Sequence, residues 1–145
     1  MKDAQEGLRD LAHGIYPPLL QDRGLAVALA AAAGRTSISA RLDAGGAGRY
    51  APEVEATVYF CCLEALQNVA KYAGDRARAT VRVWEEEGGL LFEVADDGAG
   101  FDVARGGGAG LTNMRDRLGA IGGSLRVESE PGRGTKVVGA IPLER

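Results

Sequence analysis

The apolar pattern predicts a long helix in the middle of the chain, from Pro52 to Gly74. Proline is favoured in the first turn of a helix, and glycine often ends one. The expected core face carries apolar side chains at helical spacing: Val54, Val58, Cys61, Cys62, Ala65, Val69 and Tyr72. Glu64, Asn68 and Lys71 follow one another at spacings of four and three residues. They therefore form a polar row along another face of the same helix.

Three shorter segments also have helical patterns. The first runs to about Ile15 and is stopped by Pro17 and Pro18, beyond which the chain enters another helix. The second covers Leu25 to Ala33 and is closed by Gly34. The last has apolar residues at helical spacing and a terminal glycine: Leu111, Met114, Leu118, Ile121 and Gly122.

Alternating apolar and polar residues predict five strands. They are 35–43, 79–86, 90–96, 123–130 and 135–143. The short turns "EGG" and "PGRG" join the second strand to the third and the fourth to the fifth, which indicates two hairpins. The expected fold is α+β, a two-layer sandwich with a mixed five-stranded sheet, three helices on one face, and an additional N-terminal helix.

Composition narrows the range of functions. A chain of 145 residues with a net charge of −3 is one domain with no basic surface for nucleic acid. Its longest apolar run, Leu25 to Ala33, is about half the length needed to span a bilayer, so no membrane contact is expected. Cys61 and Cys62 are adjacent in a helix, which suits neither a disulfide nor a metal site. They are expected to be ordinary thiols in a reducing compartment.

The third predicted strand ends in "DDGAG", a glycine turn with two carboxylates. Glycine turns often bind phosphate through bare backbone N–H groups, but Asp96 and Asp97 would repel an anion. An EF-hand is excluded because acidic residues do not recur at alternate positions, and a dinucleotide fold is disfavoured because "GGGAGL" follows a loop. Taken alone, the turn is ordinary, and the polar helix row is a solvated face.

Taken in order, four motifs resemble the ATP-binding domain of sensor histidine kinases, which are Bergerat-fold ATPases. "EALQNVAKYA" is similar to the asparagine box, "DDGAG" to the first glycine box, "GAGL" to the second, and "GRGT" to the final Gly-Thr element. The stretch "GAGLTNMRDRLGAIGGSL" is similar to the nitrate- or degradation-type subgroup. The resemblance implies that residues 1–20 are the end of a dimerisation helix and a linker, and that residues 21–145 are the ATP-binding catalytic domain.

The resemblance implies that the first glycine box binds adenine. Asp96 would accept a hydrogen bond from the exocyclic amine, whereas guanine presents a carbonyl at that position. Gly98 and Gly100 would let the backbone pass close to the base. Thr135 would support the adenine contact, directly or through water.

The resemblance also implies a phosphate end for the site. Asn68 would supply an oxygen ligand to Mg²⁺, and Lys71 would neutralise phosphate charge. Glu64 would polarise or deprotonate the histidine that accepts the phosphoryl group. Segment 102–108 would be a short lid, so that Gly108, Gly110 and Leu111 close over the phosphates. Arg105 and Arg115 are expected to be solvated rather than bound to phosphate.

The implied reaction is transfer of the γ-phosphoryl group of ATP to a histidine on a dimerisation domain of the same kinase. His13 is followed by Gly14 and then by prolines, so it is expected to belong to the linker rather than to be the acceptor. A response regulator would act downstream, and the domain would be cytoplasmic even if the full-length kinase is anchored in a membrane. Two alternatives of the same fold stay open: an anti-sigma-factor serine kinase and a non-catalytic nucleotide-binding interaction module.

Overall fold

The computed structural model describes residues 17–73, 76–100 and 108–143. The helices there are α1 (Pro18–Arg23), α2 (Leu25–Arg35), α3 (Pro52–Tyr72) and α4 (Gly108–Ala120). The strands are β1 (Ser39–Asp43), β2 (Arg78–Glu86), β3 (Gly89–Asp96), β4 (Ser124–Ser129) and β5 (Thr135–Pro142). The predicted α+β architecture and its two hairpins are confirmed.

The five strands form one sheet in the order β1-β2-β3-β5-β4. β1 pairs with β2 in parallel, and every other neighbouring pair is antiparallel, so the sheet is mixed. Leu90, Phe92 and Val94 alternate along β3 and are at most 2% exposed, because this face is covered by helices. β1 and β4 are the two edges of the sheet, and their outward side chains are exposed.

Helix α3 lies across the covered face and carries most of the predicted core. Val58, Cys61, Cys62, Ala65 and Val69 are all at most 4% exposed. Burial raises the pKa of the Cys61 thiol to about 12, and it raises that of Cys62 well above the usual value. Both thiols are therefore protonated core side chains.

The predicted core position of Tyr72 is wrong, since this side chain is 72% exposed. Tyr72 is the last residue of α3. Beyond Val69 the inward position is occupied by Ala73, which lies against the backbone of Gly98. Successive side chains of a helix are rotated by about 100°, so Tyr72 points away from the direction of Ala73 and toward solvent.

Two predicted boundaries near α2 are also corrected. Gly34 does not close the helix, which continues through it to Arg35, and β1 begins at Ser39 rather than at position 35. Pro18 begins α1 because the missing N–H of proline is not needed in the first turn. Leu20 of α1 is 1% exposed in the core. The predicted first helix and His13 lie outside the described residues, and the linker boundary at residue 20 stays a prediction.

A buried carboxylate joins α1 to the start of α3. Glu55 is 3% exposed, and its carboxylate accepts hydrogen bonds from Arg49 Nε at 3.0 Å and from the Tyr50 N–H at 3.2 Å. Arg49 Nη2 also donates to the carbonyl of Gln21 at 2.9 Å. Gly24 at the junction of α1 and α2 leaves room for the arginine side chain, because a Cβ there would lie 2.6 Å from Arg49 Cδ.

Candidate functional site

Asp96 ends β3 on the face of the sheet that the helices cover. It lies between Ala79 of β2 and Thr135 of β5. One carboxylate oxygen accepts a hydrogen bond from the Gly98 N–H at 2.8 Å. The pKa of Asp96 is raised, chiefly by desolvation and also by the nearby charge of Asp97. Hydrogen bonds from the Gly98 N–H and the Thr135 N–H oppose this rise. The carboxylate is therefore oriented and only partly hydrated.

Asp97 has a different environment from its neighbour. Its side chain is exposed, and its Oδ1 accepts a hydrogen bond from the Arg78 N–H at 2.7 Å. Its own N–H donates to the Arg78 carbonyl at 3.2 Å. Asp97 thus ties the loop to the start of β2, and Asp96 is the carboxylate that borders the site.

The glycine turn after Asp96 is held between the end of α3 and the β4–β5 turn. A Cβ at Gly98 would overlap Ala73, and the Ala99 N–H donates to the Ala73 carbonyl at 3.1 Å. On the other side, the Gly132 N–H donates to the Ala99 carbonyl at 2.6 Å. Gly100 has a φ of +65°, which glycine adopts without strain. Backbone contacts on both sides therefore fix the turn.

Ser129 is a site residue that the sequence reasoning missed. It pairs with Thr135 across the β4–β5 hairpin, and their hydroxyl oxygens are 2.7 Å apart. Ser129 Oγ donates to the Gly134 carbonyl at 3.0 Å, so the Thr135 hydroxyl acts as the donor between the two. The sequence signal that could have revealed this contact is the strand register across the "SEPGRGT" hairpin, which pairs Ser129 with Thr135.

A cavity of about 480 Å³ opens beside Asp96, and its lining includes Val127, Ser129, Gly134 and Thr135. This volume lies within the range of small-molecule sites. A larger cavity, about 810 Å³, is bordered by Tyr50, Val54, Ile121 and Leu143 among others. Because that cavity lies at the opposite ends of β2 and β5 and contains none of the predicted site residues, we assign the site to the cavity at Asp96.

A second group of predicted residues meets where α4 begins. A Cβ at Gly110 would lie 3.3 Å from Glu64 Oε2 and 3.4 Å from Asn68 Nδ2. The start of α4 thus touches the polar row of α3, and the glycine allows this close approach. The first four N–H groups of an α-helix have no acceptor within the helix, so this contact brings the donor end of α4 close to Glu64 and Asn68.

The remaining predicted residues differ in their surroundings. Lys71 is exposed in the last turn of α3, and within the described ranges it forms no ion pair. Leu111 is 4% exposed and packs in the core, so its side chain does not border the cavity at Asp96. Gly108 begins α4. The predicted lid from Asp102 up to α4, with Arg105, lies outside the described residues.

Helix α3 connects the two parts of the site. Ala73, which directly follows α3, supports the glycine turn at Asp96, and Asn68 and Glu64, farther back along the helix, lie against Gly110. The end of this helix therefore borders the first glycine motif, and its preceding turns border the start of the second. Lys71 lies between them in sequence and has no described contact with either.

Residues 53–145 match the family described as Histidine kinase-, DNA gyrase B-, and HSP90-like ATPase. The chain belongs to this family. Membership implies nucleotide binding. No helix in the described part of the chain is long and apolar enough to cross a membrane.

Two curated relatives are histidine kinases. The chain is 33% identical to the sensor histidine kinase MctS of Rhizobium johnstonii over 98% of its own length, which corresponds to 32% of MctS. It is 34% identical to the signal transduction histidine-protein kinase/phosphatase UhpB of Salmonella typhimurium, over 59% of this chain and 17% of UhpB. The chain thus spans about a third or less of the length of each relative.

Solved structures show the same fold. The histidine kinase domain of the blue-light activated histidine kinase of Erythrobacter litoralis EL346 superposes with a TM-score of 0.67 and 26% identity, covering 81% of this chain and 58% of that one. A structure of the same kinase superposes with a TM-score of 0.72 and 24% identity, over 97% of this chain and 46% of that one. The sheet order and the covering helices are therefore those of a histidine kinase ATPase domain.

Proposed function

We propose that this chain is the ATP- and Mg²⁺-binding catalytic domain of a two-component sensor histidine kinase. It transfers the γ-phosphoryl group of ATP to a histidine on the dimerisation domain of that kinase, and a response regulator then receives the group. The kinase belongs to the nitrate- or degradation-type subgroup, as the stretch from Gly108 to Leu125 suggests. The domain works in the cytoplasm. The histidine kinase relatives support this function over a serine kinase or a non-catalytic module.

The environment of Asp96 is the observation that carries the proposal. Its half-buried carboxylate is held by the Gly98 N–H at 2.8 Å and borders the 480 Å³ cavity. A fixed acceptor in a partly desolvated site binds an exocyclic amine more strongly than water does. It also opposes a carbonyl oxygen, because two acceptors facing each other are both left without a donor. Asp96 therefore favours adenine over guanine.

The contact between α3 and α4 suits the phosphates. The N-terminal end of a helix favours an anion, and the exposed Lys71 adds positive charge along the face of α3 that carries Glu64 and Asn68. Asn68 offers an oxygen ligand of the kind that Mg²⁺ prefers, and the ion would neutralise phosphate charge during transfer. Within the described ranges no three His, Cys, Asp or Glu side chains form a metal site.

Glu64 is the residue we assign to the acceptor histidine. Its Oε2 lies at the same contact as Asn68 and Gly110, so it is next to the place where the phosphate chain would end. There it would accept a hydrogen bond from one imidazole nitrogen, which makes the other nitrogen a better nucleophile. Most of the catalytic effect would come from positioning and charge neutralisation.

Calorimetric titration with ATP and GTP, in the presence of Mg²⁺, tests the adenine site. We expect the wild-type chain to bind ATP in preference to GTP, and Asp96→Asn to remove most of the ATP affinity. Asp97→Asn is the matched control, because its amide oxygen can still accept from the Arg78 N–H. Equal binding of ATP and GTP, or an equal effect of the two variants, would falsify the assignment of Asp96.

Phosphotransfer to a separately supplied dimerisation domain of the same kinase tests the reaction. We expect an acid-labile phosphohistidine with the wild-type chain. Glu64→Gln should bind ATP normally but transfer about 10²- to 10⁴-fold more slowly. Glu53→Gln, an exposed substitution on the same helix, should leave the rate unchanged. An acid-stable phosphoserine would support the serine kinase instead.

A further inference from the structure

Arg117 of α4 stacks on an aromatic ring of α3. Its guanidinium carbon is 4.5 Å from the centroid of the Phe60 ring, and Phe60 is 6% exposed. The arginine lies in the last turn of α4, where a positive charge is favourable. Among the described residues Arg117 has no ion-pair partner, and its guanidinium contacts the Phe60 ring instead.

This contact is aligned with the one at the start of α4. Gly110 and Arg117 are seven residues apart, which places them on the same side of the helix about 10 Å apart. Phe60, Glu64 and Asn68 follow at intervals of four along α3. Since Gly110 meets Glu64 and Asn68 whereas Arg117 meets Phe60, the two helices run antiparallel and touch at two separate points.

The stacking contact supplies a restraint that the apolar contacts lack. Leu111, Met114 and Leu118 anchor α4 in the core, but apolar packing is weakly directional. The first turn of α4 contains Gly108 and Gly110, and glycine is a poor helix former. A ring and a planar cation two turns away limit both sliding and rotation of α4 along α3. They therefore fix where the amides of its first turn lie.

We propose that Arg117 is a positioning residue of the nucleotide site. By stacking on Phe60 it holds the N-terminal turn of α4 against Glu64 and Asn68. Without it the competent arrangement is populated only in part, and the apparent affinity falls by that fraction. This inference rests on the proposed function, because it assumes that the phosphates bind at the start of α4.

Binding of three ligands to Arg117→Met tests the proposal: ATP, ADP and adenosine, each measured by calorimetry on the whole chain. We expect ATP affinity to fall by about three- to tenfold. Adenosine affinity should change by less than about twofold, because the described hydrogen bonds of the glycine turn are to Asp96, Ala73 and Gly132 and not to α4. Arg35→Met is the control, since Arg35 is an exposed arginine in the last turn of α2. Arg117→Lys, which keeps the charge, should recover part of the ATP affinity.

The outcomes separate this proposal from the function on which it rests. If the wild-type chain binds no ATP, the proposed function itself fails. If the wild-type chain binds ATP and Arg117→Met binds it equally well, the positioning role is overturned. A parallel loss for ATP and adenosine would also overturn it, because that indicates general destabilisation. If Arg117→Met does not fold, Phe60→Leu is the substitute test, because it removes the ring but keeps an apolar side chain. We expect it to lower ATP affinity and leave adenosine affinity nearly unchanged.

Discussion

The hydroxyl oxygens of Ser129 and Thr135 lie 2.7 Å apart across the β4–β5 hairpin, on the border of the cavity at Asp96. Ser129 in turn bonds the carbonyl of Gly134. The hydroxyl of Thr135 therefore has a fixed direction before any ligand binds. The residue proposed to support the adenine contact and the residue that orients it are thus provided by the two strands of one hairpin.

Removing the supporting hydroxyl should weaken nucleotide binding without unfolding the chain. We expect Ser129→Ala to lower ATP affinity by about two- to tenfold, the value of one hydrogen bond. Thr135→Ser keeps a hydroxyl and should have a smaller effect. Calorimetry on both variants checks this. Unchanged affinity in Ser129→Ala would show that Thr135 needs no partner.

The close packing at Gly98 predicts opposite effects for the same substitution at two glycines. Gly98→Ala should lower the free energy of unfolding by about 1–3 kcal/mol, because the new methyl group would overlap Ala73. Gly34→Ala should raise it by about 0.5–1 kcal/mol, because Gly34 lies within α2 with open space around it. Urea unfolding measures both. A stabilising Gly98→Ala would contradict the described packing.

The raised pKa of Asp96 predicts a pH-dependent cost in stability. Between the ordinary pKa of an aspartate and the raised pKa in the folded chain, the folded chain binds more protons at Asp96 than the unfolded chain does. The contribution of this carboxyl to the free energy of unfolding therefore falls as pH rises through that interval. Asp96→Asn lacks this contribution. We expect the variant to become more stable relative to wild type with rising pH, and then to keep a constant advantage.

Urea unfolding of the two proteins between pH 4 and pH 8 measures that difference directly. All other titrating groups are shared, so they cancel to a first approximation. If the advantage of Asp96→Asn shrinks with rising pH, the folded pKa of Asp96 is lowered rather than raised.

The buried carboxylate at the start of α3 predicts a structural effect away from the site. Glu55→Gln should lower the free energy of unfolding by about 1–3 kcal/mol, because the charge-assisted bonds with Arg49 and Tyr50 are weakened. Glu53→Gln, two residues earlier and exposed, should change it by less than about 0.5 kcal/mol. Thermal unfolding of the two variants checks the contrast. Equal effects would show that the Arg49–Glu55 pair contributes little.

Much of the fold could be predicted from the sequence, because local patterns and long-range packing agree. The turn at Glu87 and Gly88 has positive φ at both residues, as a tight hairpin turn requires. Helical spacing identified part of the core face of α3, from Val58 to Val69, but it missed four buried apolar residues: Tyr59, Phe60, Leu63 and Leu66. Tyr72 was predicted wrongly, because a spacing pattern contains no information on where the sheet beneath a helix ends.

The sequence motifs identified the residues of the candidate site, but not the contacts that orient those residues. Asp96 and Asp97 are equivalent in a turn motif, and the backbone partners Gly98 and Arg78 assign them different environments. Identifying the contact of Ser129 requires the register of the β4–β5 hairpin. Identifying the contact of Arg117 requires the relative placement of two helices that are far apart in sequence. Such contacts are decided by tertiary packing, so single-residue patterns do not reveal them.

The two outer strands of the sheet have a consequence for handling the isolated chain. An open edge presents unpaired N–H and C=O groups, which are a template for aggregation with another chain. β1 is only five residues long, and its exposed side chains include Arg41 and Asp43. β4 exposes Arg126 and Glu128. Both edge strands therefore carry charges beside the positions where a strand of another chain would pair, which disfavours edge-to-edge pairing of the sheets.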